Sequence, residues 1–287
     1  MRNERSFLEV FDLDTGKRTV LKEFDNVIEA PNWSKDGKFL VYNSEGMIFK
    51  YILETGEIEK LDTGDICRCN NDHVLSADGK WLAISSGRSA GTDFSSHVFV
   101  LPLEGGQPRE VTPNSPSFLH GWSPDGKTLA YCAFRDRENG GDIYAIDVNG
   151  GEEWQLTNAP GLNDGPEYSP DGQYIWFNSV RTGLMQAWRM KADGSEQTQM
   201  TFDEDLNTWF PHVSPDGKQV LMICYHKGDL LPGEHLPGKN VLLRLMSSEG
   251  GKVETIAELY GGQGTVNVNS WAPDSRKFAF VSYQEKN

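Results

Sequence analysis

A six-residue phrase close to Trp-Ser-Pro-Asp-Gly-Lys constrains the fold of this chain more than any other feature, because it occurs six times. The copies begin at Trp33, Leu75, Trp122, Tyr168, Val213 and Trp271. Their aspartates are separated by 42 to 47 residues, except for the last interval of 58 residues, which indicates an insertion. A fixed period of this length is typical of a repeat architecture.

Each copy of the phrase predicts a tight hairpin turn. Proline presets the backbone for the second position of a turn, aspartate bonds back to the backbone, and glycine adopts the left-handed conformation. A strand-forming run follows each turn, such as residues 129–132 after Trp122. A third strand at 143–147, a Gly150-Gly151 turn and a short fourth strand ending at Leu156-Thr157 complete the period. Four antiparallel strands per repeat, with no helical periodicity, predict an all-β, six-bladed β-propeller.

The two ends of the chain predict that the ring of blades is closed. The last copy is followed by only one further strand-forming run, at 278–282, whereas residues 7–12 and 20–21 have the pattern of a third and a fourth strand. We therefore expect the N-terminal strands to complete the last blade and to remove the exposed edge. On this basis residues 1–287 are expected to form a single propeller domain.

The charge balance excludes some partners. The chain has 27 Lys and Arg residues against 42 Asp and Glu residues, and its formal net charge of -15 repels nucleic acid and anionic lipid. No apolar run is long enough to cross a membrane or to form an export signal, so we expect a cytoplasmic monomer, or a periplasmic one if a leader preceded this sequence. The four cysteines lack the spacing of a disulfide framework and are expected to be reduced.

Candidate binding residues precede the phrases, because the innermost strand of each blade lines the central channel of a propeller and the loops that enter it form one mouth. Loops between second and third strands are expected at the same mouth, where Arg181 and Gln186 flank the blade-four loop. The insertion at 225–239 lies in the blade-five loop and is long enough to be functional, so His235 could close over the site; the alternative is a solvated hairpin. The candidate residues are His73, His120, Asn163, Asp164, Glu167, Arg181, Gln186, Trp209, His212, His235 and Asn269.

Three of the six histidines, His73, His120 and His212, fall in two equivalent columns of the repeat. With Asp164 or Glu167 they could bind a divalent metal or act as acid and base over a substrate. Alternatively, they bond loop carbonyls around a wet channel. Trp209 and Phe210 have a similar pair of interpretations, since they could stack on a sugar ring or pack between blades.

The repeated Ser-Pro-Asp-Gly-Lys phrase, with Asp142-Ile143-Tyr144 and Leu156-Thr157, resembles the WD40-like PD40 repeats of the TolB propeller family. The segment from Asn163 to Gly172 and residues 177–190 resemble an uncharacterised cytoplasmic-type subgroup that lacks the TolB N-terminal domain. The resemblance implies a recognition module that binds a protein segment or small ligand at the channel mouth, with no obligatory cofactor.

Two alternatives remain open. Related propellers include oligogalacturonate lyases, which implies a metal-dependent carbohydrate-active enzyme that uses the channel histidines, with a divalent metal in or near the channel. The other alternative is a structural module of a larger complex. No Gly-x-Ser-x-Gly elbow occurs, so a serine hydrolase is not expected.

Overall fold

The computed structural model describes residues 2–88, 95–136 and 140–286, and these residues form strands and no helix. The chain begins with β1 (Glu4–Asp12) and β2 (Lys17–Phe24), which join the last strand of the chain. Between β2 and the last strand, the chain forms five sheets, each of four consecutive antiparallel strands.

The first of these blades contains β3 (Glu29–Trp33), β4 (Phe39–Ser44), β5 (Met47–Ile52) and β6 (Ile58–Lys60). The second contains β7 (Cys69–Leu75), β8 (Trp81–Ser86), β9 (His97–Pro102) and β10 (Arg109–Glu110). The third contains β11 (Ser117–Trp122), β12 (Thr128–Ala133), β13 (Asp142–Asp147) and β14 (Glu153–Gln155). The fourth contains β15 (Asn163–Tyr168), β16 (Tyr174–Ser179), β17 (Gln186–Lys191) and β18 (Thr198–Gln199). The fifth contains β19 (Leu206–Val213), β20 (Gln219–His226), β21 (Pro237–Ser247) and β22 (Val253–Gly262).

The sixth blade combines both ends of the chain. Its sheet has the order β2–β1–β23, with β23 spanning Lys277–Glu285, and its inner strand is reduced to one bridge between Trp271 and Phe278. Strand β1 pairs with β23 without interruption from Glu4 opposite Glu285 to Asp12 opposite Lys277. The predicted six-bladed propeller, closed by its N-terminal strands, is therefore confirmed.

The phrase acts as the predicted turn device, as the third blade shows. The Ser123 hydroxyl donates to Asp125 Oδ1 at 2.6 Å and accepts the Thr128 N–H at 2.9 Å, while Asp125 Oδ1 accepts the Lys127 N–H at 3.1 Å. Gly126 has a φ of 77°, in the left-handed region that glycine adopts without strain. The phrase aspartates are thus occupied in holding turns.

The Thr of the Leu-Thr ending also has a structural role. In the third blade the Thr157 hydroxyl accepts the Ile143 N–H at 2.9 Å, and Thr112 and Thr201 make the same bond in the second and fourth blades. A short fourth strand is therefore anchored to the third by a side chain where backbone pairing ends.

The core lies between adjacent blades. One cluster joins Ala83, Val98 and Val100 of the second blade to Trp122 and Tyr131 of the third. All four cysteines are unpaired, and only Cys67 is exposed.

Ring closure can be tested at Leu8, which lies in β1, is fully buried and packs with Ile28 and Val281. We expect Leu8→Ala to lower the free energy of unfolding by about 3 kcal/mol, because truncation leaves a cavity in the closing blade. The matched control is Val20→Ala in β2, where Val20 is 53% exposed; its cost should stay below about 1 kcal/mol. Equilibrium urea denaturation measures both, and equal small effects would show that β1 is not part of the cooperative ring.

Candidate functional site in the central channel

The inner strands that line the channel share an irregularity that sets the direction of their side chains. Their register with the second strand shifts between Glu29 and Asn32, and equivalent shifts occur in β7, β11, β15 and β19. Three residues before the phrase, Ala30, Gly165 and Phe210 have φ values of 55°, 62° and 50°. Positive φ is unusual for alanine and phenylalanine and is found mostly where function or packing imposes it. The bulges break the strict alternation of the strand and redirect polar side chains.

Glu167 joins three blades near one end of the channel. Its Oε2 lies 2.6 Å from His212 Nδ1, and its Oε1 accepts the Val213 N–H at 2.8 Å and the Asn269 amide at 2.7 Å. The other ring nitrogen of His212 lies 3.2 Å from the Val266 carbonyl oxygen. Both groups are therefore committed to bonds between blades.

His120 lies among two buried carboxylates. Its Nε2 is 3.4 Å from Asp164 Oδ1 and 3.8 Å from Asp72 Oδ1, and all three side chains are less than 10% exposed. Burial lowers the pKa of His120, although Asp164 opposes this shift, and burial together with the Asp164 charge raises the pKa of Asp72. The site thus places an imidazole whose pKa is lowered beside two acidic side chains whose mutual repulsion contributes to the raised pKa of Asp72.

His235 reaches this group from the blade-five insertion, which lies between β20 and β21 as predicted. Its ring centroid is 4.5 Å from that of Trp209 and 5.3 Å from that of Phe210, and Phe210 stacks on His120 at 5.5 Å. Burial lowers the pKa of His235, and the charge of Asp164 opposes the shift. We call Asp72, His120, Asp164 and His235 the His120 cluster.

A cavity of about 280 Å³ enters the channel from the side of the phrase turns. We call it the turn-side cavity. Its rim carries the third residue of all six phrases, including Lys35, which stands where four copies have proline. Its lining also includes Asn32, Glu167, Asn269 and, from the His120 cluster, His120 alone. The rim residues other than Lys35 are Ala77, Pro124, Pro170, Pro215 and Pro273.

Three predicted site residues are engaged within the fourth blade. Arg181 donates to Asn163 Oδ1 at 2.7 Å and lies over the Trp188 ring at 4.6 Å. The Gln186 amide donates to the carbonyls of Asp203 and Leu206, each at 3.2 Å. The structure does not bring these side chains together with the His120 cluster.

The structure places the remaining predicted residues as follows. Trp209 is fully buried and packs against Phe210, and His73 is fully buried with no hydrogen-bond partner on either ring nitrogen. The loop at 134–140, between the second and third strands of the third blade, has charges of both signs in the sequence and is expected to be solvated; its Arg135 forms an ion pair with Glu153 at 2.6 Å, and residues 137–139 lie outside the described residues.

The histidines of the divalent-metal hypothesis do not form a metal-binding group among the described residues. Among the described residues no group of three or more His, Cys, Asp or Glu side chains could hold a metal ion. His212 has both ring nitrogens bonded, and neither ring nitrogen of His73 has a hydrogen-bond partner. The three histidines share columns of the repeat without sharing a coordination sphere, because the bulges direct them differently.

Sequence reasoning missed Lys35 and the rim prolines as lining residues. When the six phrases are aligned, Lys35 is the one cation at its position, so the sequence itself marks it as unusual. Nothing in the sequence marks Phe210 as a residue with positive φ.

These features define a closed six-bladed propeller with a polar, partly anionic channel. Residues 92–235 match the TolB beta propeller domain, PD40, and a relative from Agrobacterium fabrum described as uncharacterized is 46% identical over 97% of this chain and 92% of its own length. The chain belongs to the TolB β-propeller family.

Two further matches describe its place in that family. A solved structure of an Agrobacterium tumefaciens protein provisionally assigned as TolB superposes with a TM-score of 0.91 and 46% identity, over 98% of this chain and 99% of that one. The Tol-Pal system protein TolB of Francisella tularensis is 29% identical over 72% of this chain, which covers 48% of that protein. The chain thus spans about half the length of the Francisella relative. No helix of the described residues is long and apolar enough to cross a membrane.

The burial of His73 predicts how the stability of the protein depends on pH. Burial lowers its pKa from 6.5 to about 3, so the unfolded chain binds a proton between these values and the folded chain does not. Stability is therefore fully present above pH 6.5 and is lost as the pH falls toward 3, by about 2 kcal/mol at pH 5. His73→Leu should flatten the dependence of the unfolding free energy on pH between 4 and 6.5.

The control for this prediction is His226→Leu, because His226 is exposed. Urea denaturation at a series of pH values compares the two variants with the parent protein. A His73→Leu profile as steep as that of the parent would show that this histidine does not titrate on unfolding.

Proposed function

We propose that this propeller is a recognition module that binds a segment of a partner protein at the turn-side cavity. Propellers of the TolB family typically mediate protein binding, and the family membership supports the same general role here. The observation that carries the proposal is the turn-side cavity itself, which leads from a rim of prolines to polar side chains inside the channel.

The size of the cavity favours a protein segment. Small-molecule and cofactor sites enclose about 300–1,000 Å³, so about 280 Å³ accommodates one or two side chains better than an oligosaccharide. Proline and aromatic side chains on the rim, including Trp33, Trp122 and Trp271, offer the rigid apolar surface on which peptide segments dock.

The polar groups at the inner end favour binding over catalysis. Glu167 and His212 are the acid and base pair that a hydrolytic or eliminating enzyme would use, but they bond to each other and to the backbone of neighbouring blades. A general base must be able to reach the proton that it removes. These two groups instead make the channel wall rigid, which pre-organises a binding surface.

The proposal is tested by closing the cavity. Ala77 is an exposed rim residue, so Ala77→Trp should block the entrance without disturbing a strand. The matched control is Gln173→Trp, which adds the same side chain to an exposed turn position outside the cavity lining. We expect proteins captured by the parent and by Gln173→Trp to be lost from Ala77→Trp, and their purified forms to bind Ala77→Trp at least tenfold more weakly in calorimetric titrations.

Equal affinity of a purified partner for Ala77→Trp and for the parent would exclude the turn-side cavity as its binding site. Circular dichroism and thermal unfolding of both variants establish that the comparison concerns folded proteins.

A further inference from the structure

The His120 cluster contains two buried carboxylates without a cation. Asp72 and Asp164 are 5% and 6% exposed, and among the described residues their only ion-pair contact is with His120, whose pKa is lowered by burial. Two other buried carboxylates pair with an arginine, Glu9 with Arg18 at 2.7 Å and Glu4 with Arg2 at 2.5 Å, whereas Glu167 bonds to His212 and to the Val213 N–H. A buried carboxylate without a counter-charge is costly, and no arginine of the described residues forms an ion pair with Asp72 or Asp164.

Two further buried polar atoms near the cluster lack partners. His120 is 7% exposed, and its Nδ1 makes no hydrogen bond. Asn267 is 1% exposed, its Oδ1 accepts the Gly264 N–H at 2.6 Å, and its Nδ2 has no partner. Asn267 stands four residues before its phrase, in the same column of the repeat as Asp164. The unpaired His120 ring nitrogen can accept a hydrogen bond from a bound donor, whereas the Asn267 amide nitrogen is itself a donor and needs an acceptor.

At the equivalent repeat position of the first blade, the chain pairs a carboxylate with a cation of its own. Glu29 stands four residues before the first phrase, and the Arg2 guanidinium lies 3.2 Å from its Oε1. The same guanidinium lies over the Tyr283 ring at 4.2 Å. A carboxylate, an aromatic face and a guanidinium therefore come together in one blade, whereas Asp164 has the carboxylate and neighbouring aromatic rings but no guanidinium among the described residues.

The turn-side cavity provides the route to the cluster, because His120 belongs to both. The cavity lining includes Lys35, which disfavours a cation, Glu167 and His120, and Asp72 and Asp164 lie beside His120. Three carboxylates against one exposed ammonium make the channel anionic along its depth, in a chain whose net charge is already -15.

We propose that the segment bound at the turn-side cavity inserts a cationic nitrogen that is held by Asp72 and Asp164 beside His120. This inference rests on the proposed function and defines the chemistry of the partner: a lysine ammonium, an arginine guanidinium or an amino terminus. Each donates charge-assisted hydrogen bonds to carboxylates. The four-carbon stem of lysine, or the three-carbon stem of arginine, fills the apolar part of the cavity.

The test uses blocked tripeptides, Ac-Gly-X-Gly-amide, in which X is lysine, arginine or norleucine, and an unblocked norleucine peptide that offers only its amino terminus. Calorimetric or NMR titrations at low ionic strength measure their affinities. We expect at least tenfold tighter binding of one cationic peptide than of the blocked norleucine peptide, and the arm that binds best identifies the source of the cation.

Asp72→Asn/Asp164→Asn should reduce this preference to about one, because the amides keep the shape but remove the charge. The matched control, Asp65→Asn, removes the charge of an exposed aspartate and should keep the preference. The double variant should also unfold at a temperature equal to or higher than the parent, since it removes two carboxylates that repel each other. If it fails to fold, the two single variants are compared, each with a reduced preference expected.

The outcomes separate this inference from the proposed function. Equal affinity of the lysine, arginine and norleucine peptides, with loss of all of them in Ala77→Trp, would overturn the cation site and leave the binding cavity in place. Absence of any cation preference at millimolar peptide also overturns the inference. Partner binding that Ala77→Trp does not weaken would overturn the proposed function itself.

Discussion

The pairing of β1 with β23 is the interaction on which the rest of the structure depends. It joins the first residues of the chain to the last over nine consecutive positions, from Glu4 opposite Glu285 to Asp12 opposite Lys277. Without it, the sixth blade would keep only β23 and a single bridge at Trp271, and the array would end in open edges. Because the ring closes, six inner segments converge on one axis, and side chains distant in sequence form one channel.

Much of the fold could be predicted from the sequence because the phrase encodes local turn geometry. Serine, proline, aspartate and glycine each act within a few residues, so six copies indicate six hairpins without knowledge of tertiary contacts. The closing blade was predictable for the same reason, since the missing strands had recognisable patterns at the other end of the chain. Turn chemistry and the alternation of apolar and polar residues depend on neighbouring residues, so they can be recognised in a single sequence.

The channel was less predictable, because the direction of an inner side chain depends on a bulge. The repeat places His73 and His120 in one column, yet His73 is fully buried without a partner while His120 faces two carboxylates. Positive φ at Gly165 is suggested by its residue type, whereas the same conformation at Ala30 and Phe210 is imposed by tertiary packing. His235 reaches the site from a loop whose length marks it as unusual but whose path no periodicity describes.

Two kinds of polar group line the channel, and they have different consequences. Glu167, His212 and Asn269 satisfy one another across three blades and hold the wall in place. Among the described residues, the His120 cluster leaves two carboxylates with no ion-pair partner except His120, and His120 Nδ1 without a hydrogen bond, in an environment that strengthens electrostatic interactions. A rigid wall with an unsatisfied anionic centre has the physical requirements for recognising a cation.

A crystal structure of the protein with saturating n-butylammonium tests this account most directly. The account predicts the ammonium nitrogen within about 4 Å of Asp72 and Asp164, the ion-pair distance, with the butyl chain in the turn-side cavity. A channel that holds only water between these carboxylates, or one in which a lysine or arginine of the chain already pairs with them, would contradict it.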